Sequence, residues 1–175
     1  MKILHSSNIL IPAPLKLTCL TFQEFWQNYE VFSYKSVEDE VYGPLTYFFT
    51  NTTLHACHPV KPQSKFSAFD PTPYDDDLPN FKEIITIGTP FQKAIWQHLL
   101  EIPIGQTTTY GQIAKAHGNP RAARAAGQAI GANPVGIHIP CHRVLGANEK
   151  LCGFSWGTEL KEEWLQKESS DKKPK

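Results

Sequence analysis

Only four cysteines occur in this chain, Cys19, Cys57, Cys141 and Cys152, and no two stand at CxxC spacing. That scarcity argues against a disulfide framework or a compact zinc knuckle and fits a reducing compartment, the cytoplasm. His5, Cys19, Cys57 and His58 also lack a zinc spacing, so neither a metal nor another cofactor is expected. No segment approaches the ~20 apolar residues that span a bilayer. The stretch after Lys2 is interrupted by His5, Ser6, Ser7, Asn8, Pro12 and Pro14, which argues against a signal peptide. Without a coiled-coil heptad or an obvious apolar patch, a monomer is expected.

Net charge is missing too, with 17 basic and 17 acidic residues, but the balance hides two unlike halves. Residues 1–87 carry six Lys and Arg against ten Asp and Glu, whereas residues 88–175 carry eleven against seven. Between 88 and 148 the basic residues Lys93, Lys115, Arg121, Arg124 and Arg143 face Glu101 alone. A surface of that kind favours a polyanion. A hydrophobic share of 41%, with ten Phe, six Tyr and four Trp, is ample for a core.

In the first half, 15–20 and 45–57 read as strands, the second able to turn as a hairpin at Asn51. Phe22, Phe25, Trp26, Tyr29 and Phe32 fall at helical spacing, and their first role is core. From Pro59 to Pro79 the composition shifts to Pro, Ser, Asp and Lys, which predicts loop and linker, with Asp75-Asp76-Asp77 as a solvated acidic run. Residues 81–87 return as one more strand.

Beyond Ile87 the signals sharpen. Thr89-Pro90-Phe91-Gln92 opens a helix whose stripe of Phe91, Ile95, Leu99 and Ile102 ends at Pro103 and Gly105. Thr109-Tyr110-Gly111-Gln112 repeats the capping pattern, and a third helix opens at Asn119-Pro120 and runs to about Gly131. Two capped helices joined by the Gly118-Asn119 turn form a helix-turn-helix pattern. The third helix is nearly bare: Ala122, Ala123, Ala125, Ala126, Gly127 and Ala129 leave Arg121, Arg124 and Gln128 as its projecting side chains. Small residues admit close approach, and with few long donors for a major groove the expectation is minor-groove contact with double-stranded DNA, Arg124 as the probe.

Val135, Ile137 and Ile139 alternate as a buried strand before Pro140-Cys141-His142-Arg143. A reactive thiol needs its thiolate, and adjacent cationic or proton-accepting groups help to form it, so Cys141 is the candidate nucleophile. On this run alone, a structural buried cysteine is the commoner reading. Further on, Gly153-Phe154-Ser155-Trp156-Gly157 forms a loop able to approach a ligand. In the last helix Leu160, Trp164 and Glu168 recur at i, i+4 and i+8, placing a carboxylate on the apolar stripe where it would orient His142. The elements predict an α/β (α+β) chain. A small N-terminal α/β domain with an antiparallel sheet spans 1–87, with a linker near 59–80. A mainly helical C-terminal domain with the helix-turn-helix spans 88–175.

From Gly88 to Glu168 the chain resembles the O6-alkylguanine-DNA alkyltransferases, or methylated-DNA–protein-cysteine methyltransferases. The likeness is carried by Gly88-Thr89-Pro90-Phe91-Gln92, Ile102-Pro103-x-Gly105-x-Thr107, Tyr110, Arg124-Ala125-x-Gly127, Asn133-Pro134 and Ile139-Pro140-Cys141-His142-Arg143-Val144. The resemblance implies direct-reversal repair of DNA, a stoichiometric transfer of an alkyl group from guanine O6 to Cys141. In that scheme His142 removes the thiol proton through a water, Glu168 polarises His142, and Asn133 braces the turn. Tyr110 contacts a flipped base and protonates the departing guanine. Arg124 fills the gap in the duplex, with Arg121, Ala125, Ala126 and Gln128 beside it. Tyr110, Val144, Phe154, Ser155 and Trp156 line the base pocket. Phe154 replaces the tyrosine usual in this loop, and Trp156 stands where glycine is frequent, which points to a narrower, more apolar rim. The competing class is a non-enzymatic, alkyltransferase-like damage sensor, whose members lack the acceptor cysteine that Cys141 supplies.

Overall fold

The computed structural model describes residues 3–4, 16–28, 33–39, 42–59, 72–73 and 78–170. The chain divides into two compact units, Met1–Thr89 with Pro134–Gly136, and Pro90–Asn133 with Ile137–Lys175.

The first unit is built on one mixed sheet. Its described strands are β1 (Ile3–Leu4), β2 (Lys16–Leu20), β3 (Ser33–Asp39), β4 (Gly43–Thr50), β5 (Thr53–His58), β6 (Thr72–Pro73) and β7 (Glu83–Ile87). They run in the order β1-β3-β4-β5-β7-β2, with β6 also paired to β3. The β4–β5 hairpin turns at Asn51, whose φ of 49° is one that Asn tolerates better than most residues. Helix α1 (Phe22–Asn28) sends Phe25, fully buried, against Phe48 and Ala56. His55 is buried beside it, edge-on to the Phe25 ring at 5.3 Å. Its Nδ1 lies 2.6 Å from the Ile85 carbonyl and its Nε2 2.8 Å from Thr50 Oγ1.

Three expectations change here. The sheet is mixed rather than antiparallel: β3–β4–β5 is an antiparallel meander, but β7 is parallel to both β5 and β2, and β1 and β6 are parallel to β3. A parallel neighbour needs a crossover of about a dozen residues or more, and residues 59–82 between β5 and β7 supply that length. Strand β3 was not foreseen, because Ser33-Tyr34-Lys35-Ser36-Val37-Glu38-Asp39 has too few apolar positions to stand out. Of the stretch expected as linker, Thr72–Pro73 pairs with β3. Residues 60–71 and 74–77, including Asp75, Asp76 and Asp77, lie outside the described residues, as do Tyr29 and Phe32.

The second unit is mainly helical. Helix α2 (Pro90–Leu100) buries Ile95, Trp96 and Leu99. Helix α3 (Tyr110–Ala116) opens on the expected capping box, with Thr109 and Gln112 satisfying each other's backbone N–H groups. After Gly118, the Asn119 side chain accepts from Arg121 N at 3.2 Å over a single 3-10 turn, Pro120–Ala122, and α4 (Ala123–Gly131) follows. Trp96 Nε1 donates to the Ala129 carbonyl at 2.8 Å and pins α4 to α2. Two short strands, β8 (Thr108–Thr109) and β9 (Val144–Leu145), pair in parallel, and α5 (Thr158–Ser170) closes the unit.

The strand expected over 135–139 is absent. Val135 makes an isolated bridge to Cys57 within the first unit, and the chain then turns, with Ile137 at φ 67°. A β-branched residue in that region cannot continue a strand. Every residue from Val135 to Gly146 is buried, so the apparent alternation was part of a run with no exposed face. Among the described residues no helix is long and apolar enough to cross a membrane.

Burial lowers the pKa of both His55 and His138 to about 4, in His55 against a hydrogen bond to the Ile85 carbonyl that raises it. The unfolded chain therefore binds more protons between about pH 6.5 and 4, and stability is lost as pH falls through that window. Urea unfolding from pH 7 to 4 should show a decline on the order of 3 kcal/mol per histidine. His55→Asn should flatten its share of the slope, and an unchanged slope would remove His55 from this account.

Candidate active site

Cys141 opens a 3-10 turn, Cys141–Arg143, that is buried throughout. Pro140 precedes it, and Cys141 N donates to the Ile139 carbonyl at 2.7 Å. The side chain of Asn133, at the end of the chain leaving α4, reaches the same turn. Its Nδ2 donates to the Ile139 carbonyl at 2.8 Å and to Cys141 Sγ at 3.2 Å. One amide thus holds the turn and points a hydrogen at the sulfur.

The thiol is not depressed by its neighbours as the sequence pattern suggested. Burial pushes it up to about 11, against the Asn133 donor, the Lys161 charge and the backbone N–H groups of Cys141 and His142. The reason is directional: His142 and Arg143 turn their polar atoms to Glu168 instead. His142 Nε2 lies 2.8 Å from Glu168 Oε1. Arg143 Nε donates to Oε2 at 2.9 Å and Nη2 to Oε1 at 2.8 Å, while Nη1 donates to the Ile102 carbonyl at 2.6 Å. Gly105 N adds a bond to Oε2 at 3.2 Å. Burial alone would raise the Glu168 carboxyl, but hydrogen bonds from His142 and Arg143 outweigh it and hold the group well below the usual carboxylate range. For His142 burial prevails and lowers its pKa, the Glu168 bond and charge opposing, Arg143 and Lys161 reinforcing. Trp164 packs edge-on against the imidazole at 5.2 Å.

A second polar group lies opposite. Tyr110, the first residue of α3, donates its hydroxyl to the Gly153 carbonyl at 2.9 Å and the Cys152 carbonyl at 3.3 Å. Burial pushes its pKa up to about 12, with Cys152 and Cys141 adding to it, so it stays protonated at neutral pH. Lys161, fully buried, donates Nζ to the Val144 and Cys152 carbonyls, the latter at 3.0 Å. The ammonium lies 5.9 Å from the ring centres of both Tyr110 and Phe154. Phe154, Trp156 and Trp164 form an aromatic group with ring centres 5.2 to 6.5 Å apart. Ser155 Oγ donates to the Gly131 carbonyl, tying this loop to the end of α4. Among the described residues no group of three or more His, Cys, Asp or Glu is placed to hold a metal ion.

The expected residues are therefore gathered in three places. Asn133 meets Cys141, His142 meets Glu168, and Tyr110 meets the loop that carries Phe154, Ser155 and Trp156. Val144 is fully buried, and its carbonyl is occupied by Lys161. Arg121, Arg124, Ala125 and Gln128 lie exposed around α4, but Ala126 is fully buried with Ala129 and Ile130 on the inner face. Ala126 thus cannot meet a partner at the surface; the 126, 129, 130 spacing is the core stripe of this helix. One residue was missed and one misread. Lys161 precedes Trp164 and Glu168 at i, i+3, i+7, the same buried face that was used to find Glu168. Arg143 read as an activator of the thiol and is instead the partner of the carboxylate.

Residues 90–170 match the family model described as 6-O-methylguanine DNA methyltransferase, DNA binding domain. The chain is 55% identical over 83 residues to a methylated-DNA–protein-cysteine methyltransferase of Methanosarcina acetivorans, covering 47% of this chain and 53% of that one. It is 45% identical over 84 residues to the protein of that name from Saccharomyces cerevisiae, covering 48% and 45%. The chain thus spans about half the length of the curated relatives it matches. Among solved structures, the Mycobacterium tuberculosis O6-methylguanine methyltransferase is 32% identical with a TM-score of 0.69, over 83% of this chain and 96% of that one. An M. tuberculosis OGT in complex with DNA is 34% identical with a TM-score of 0.68, over 79% and 93%. At 32% identity over 96% of that solved O6-methylguanine methyltransferase, and with residues 90–170 matching the family model, this chain belongs to the 6-O-methylguanine DNA methyltransferase family.

Proposed function

We propose that this protein repairs O6-alkylated guanine in double-stranded DNA by a single, irreversible transfer to Cys141. The observation that carries the reading is the buried Cys141 thiol, held by Asn133 on the turn whose next residue is bonded to Glu168. In the reaction the Cys141 sulfur forms a bond to the alkyl carbon as the bond from that carbon to guanine O6 breaks. The thiol proton leaves through water to His142, and the departing guanine takes a proton from Tyr110. The products are a thioether and an unmodified guanine. A thiol with a pKa of about 11 needs a base at neutral pH, and a phenol raised to about 12 still holds the proton to be given.

Residues 88–175 act as the DNA-binding and acceptor domain and 1–87 as a separate domain. Helices α3 and α4 form a helix-turn-helix that enters the minor groove. There the exposed Arg124, with Arg121, Ala125 and Gln128 beside it, occupies the space of the flipped base. The protein works as a monomer in the cytoplasm. The damage-sensor reading is disfavoured by the presence of Cys141 itself.

Mass measurement after incubation with an oligonucleotide bearing one O6-methylguanine should show one added methyl on the peptide containing Cys141. Cys141→Ala should abolish the gain while DNA is still bound; methyl uptake by that variant refutes the acceptor assignment. Unchanged wild-type mass with tight binding would favour the sensor.

Phe154 and Trp156 form the rim of the base pocket and restrict it to small adducts. Trp156→Gly should raise the rate of benzyl transfer about tenfold or more while methyl transfer changes little, since removing bulk relieves a clash only for the larger group. Equal benzyl rates in wild type and variant would sink this.

A further inference from the structure

Glu168 is bonded by two cationic or potentially cationic neighbours in a cluster closed to bulk solvent: His142, Arg143 and Glu168 are each at most 4% exposed. We propose that Arg143 is a positioning residue for alkyl transfer: by occupying both oxygens of Glu168 it satisfies the buried negative charge. His142 then sits in the cluster as a neutral imidazole, with Nε2–H donating to the carboxylate and Nδ1 as the proton-accepting nitrogen.

The geometry leads there by charge counting. An isolated buried carboxylate–imidazole pair is best satisfied by an imidazolium, because the carboxylate has no other counter-charge. Here a guanidinium, which does not deprotonate in proteins, already supplies one. It is fixed on two sides, by the fork onto Glu168 at 2.8 and 2.9 Å and by the Ile102 carbonyl at 2.6 Å, so it does not swing away to leave the carboxylate to His142. The charged groups around the imidazole are Glu168 and Lys161 from α5 and Arg143 from its own turn, with Cys141 the preceding residue and Trp164 an apolar wall. Two of these are cations. A proton on His142 would make a third positive charge against one negative in a buried cluster, and a protonated imidazole has no lone pair with which to take the proton of Cys141. The value of this arrangement for catalysis rests on the alkyl-transfer reading, but the effect of Arg143 on His142 does not.

The test is a proton titration of His142 in the full chain without DNA, followed by NMR of 13C-labelled histidine in wild type, Arg143→Gln and Arg143→Lys. Arg143→Gln should raise the His142 midpoint by about one pH unit or more, a tenfold gain in proton affinity. Arg143→Lys, which keeps the charge, should stay much closer to wild type. Methyl transfer by Arg143→Gln should be slow near neutral pH and recover toward the wild-type rate as pH rises through the shifted midpoint. A midpoint that does not rise in a folded Arg143→Gln, with transfer slowed equally at every pH, would show a merely structural ion pair and overturn the proposal. Should Arg143→Gln not fold, wild type decides: a His142 midpoint at or above that of histidine in an unstructured peptide overturns it, and one below supports it. A shifted midpoint in a protein that never takes up methyl would count against the proposed function and leave the role of Arg143 standing.

Discussion

A single buried negative charge organises the second unit. Glu168 comes from α5, yet its oxygens are met by the turn after Cys141 through His142 and Arg143, and by the loop after α2 through Gly105. Arg143 extends the tie to the Ile102 carbonyl, two residues past the end of α2. Three segments far apart in sequence are therefore held at one carboxylate. Such a cluster is stable only when every member is satisfied. Removing one partner of a buried pair typically costs about 3–5 kcal/mol, because the charge left behind has no water to turn to. That asymmetry makes Glu168 a structural constraint and a chemical one at once.

The same burial that makes Glu168 costly to disturb raises the Cys141 thiol. With a pKa of about 11, roughly one molecule in ten thousand carries the thiolate at pH 7. A cysteine kept in that state is quiet toward oxidants, since the thiolate is the reactive form. It is a poor resting nucleophile: attack through the sulfur would need a base for the proton and an electrophile held against it. Asn133 acts on both the charge and the position of that sulfur. Its amide donates to Sγ, which favours the anion once formed, and to the Ile139 carbonyl, which keeps the sulfur where it is. Asn133 is also linked backward, through its own N–H to the Ile130 carbonyl, to the end of α4.

What the sequence made legible follows from how local the signals are. The capping box at Thr109 and Gln112, the hairpin at Asn51 and the stripe that buries Trp164 and Glu168 each depend on residues within a few positions of one another. Pattern reading reaches such features directly. The parallel pairing of β7 with β5 and β2 depends on partners far away in sequence, and no local period encodes it. Between Val135 and Ile139 the local signal misled, because apolar alternation with His138 also buried looks the same as a strand until Ile137 turns to φ 67°. The partner of Arg143 was misread for a related reason. Adjacency along the chain placed the guanidinium beside the thiol, whereas the backbone turn aims it at a carboxylate 25 residues on.

Tyr110 shows how tightly these levels are joined. Thr108 and Thr109 pair with Val144 and Leu145, the strand that directly follows the Cys141 turn, and Thr109 then caps the helix that Tyr110 begins. The phenol is thereby placed relative to the cysteine by strand register before any side-chain contact is made. Its ring lies against Gly127 of α4, where an added Cβ would sit 3.5 Å from Cδ1, and its hydroxyl meets Gly153, where a Cβ would stand 3.1 Å away and φ is already 56°. A side chain at Gly153 would be both strained and crowded; at Gly127 it would meet the ring at ordinary contact distance. The small residues that leave α4 bare outside thus also serve inside, where they let one aromatic ring reach from the helix pair to the loop around Lys161. Tyr110, Ser155 and Asn133 are therefore positioned together, because all three are bonded to, or packed on, the same short helix and its exit.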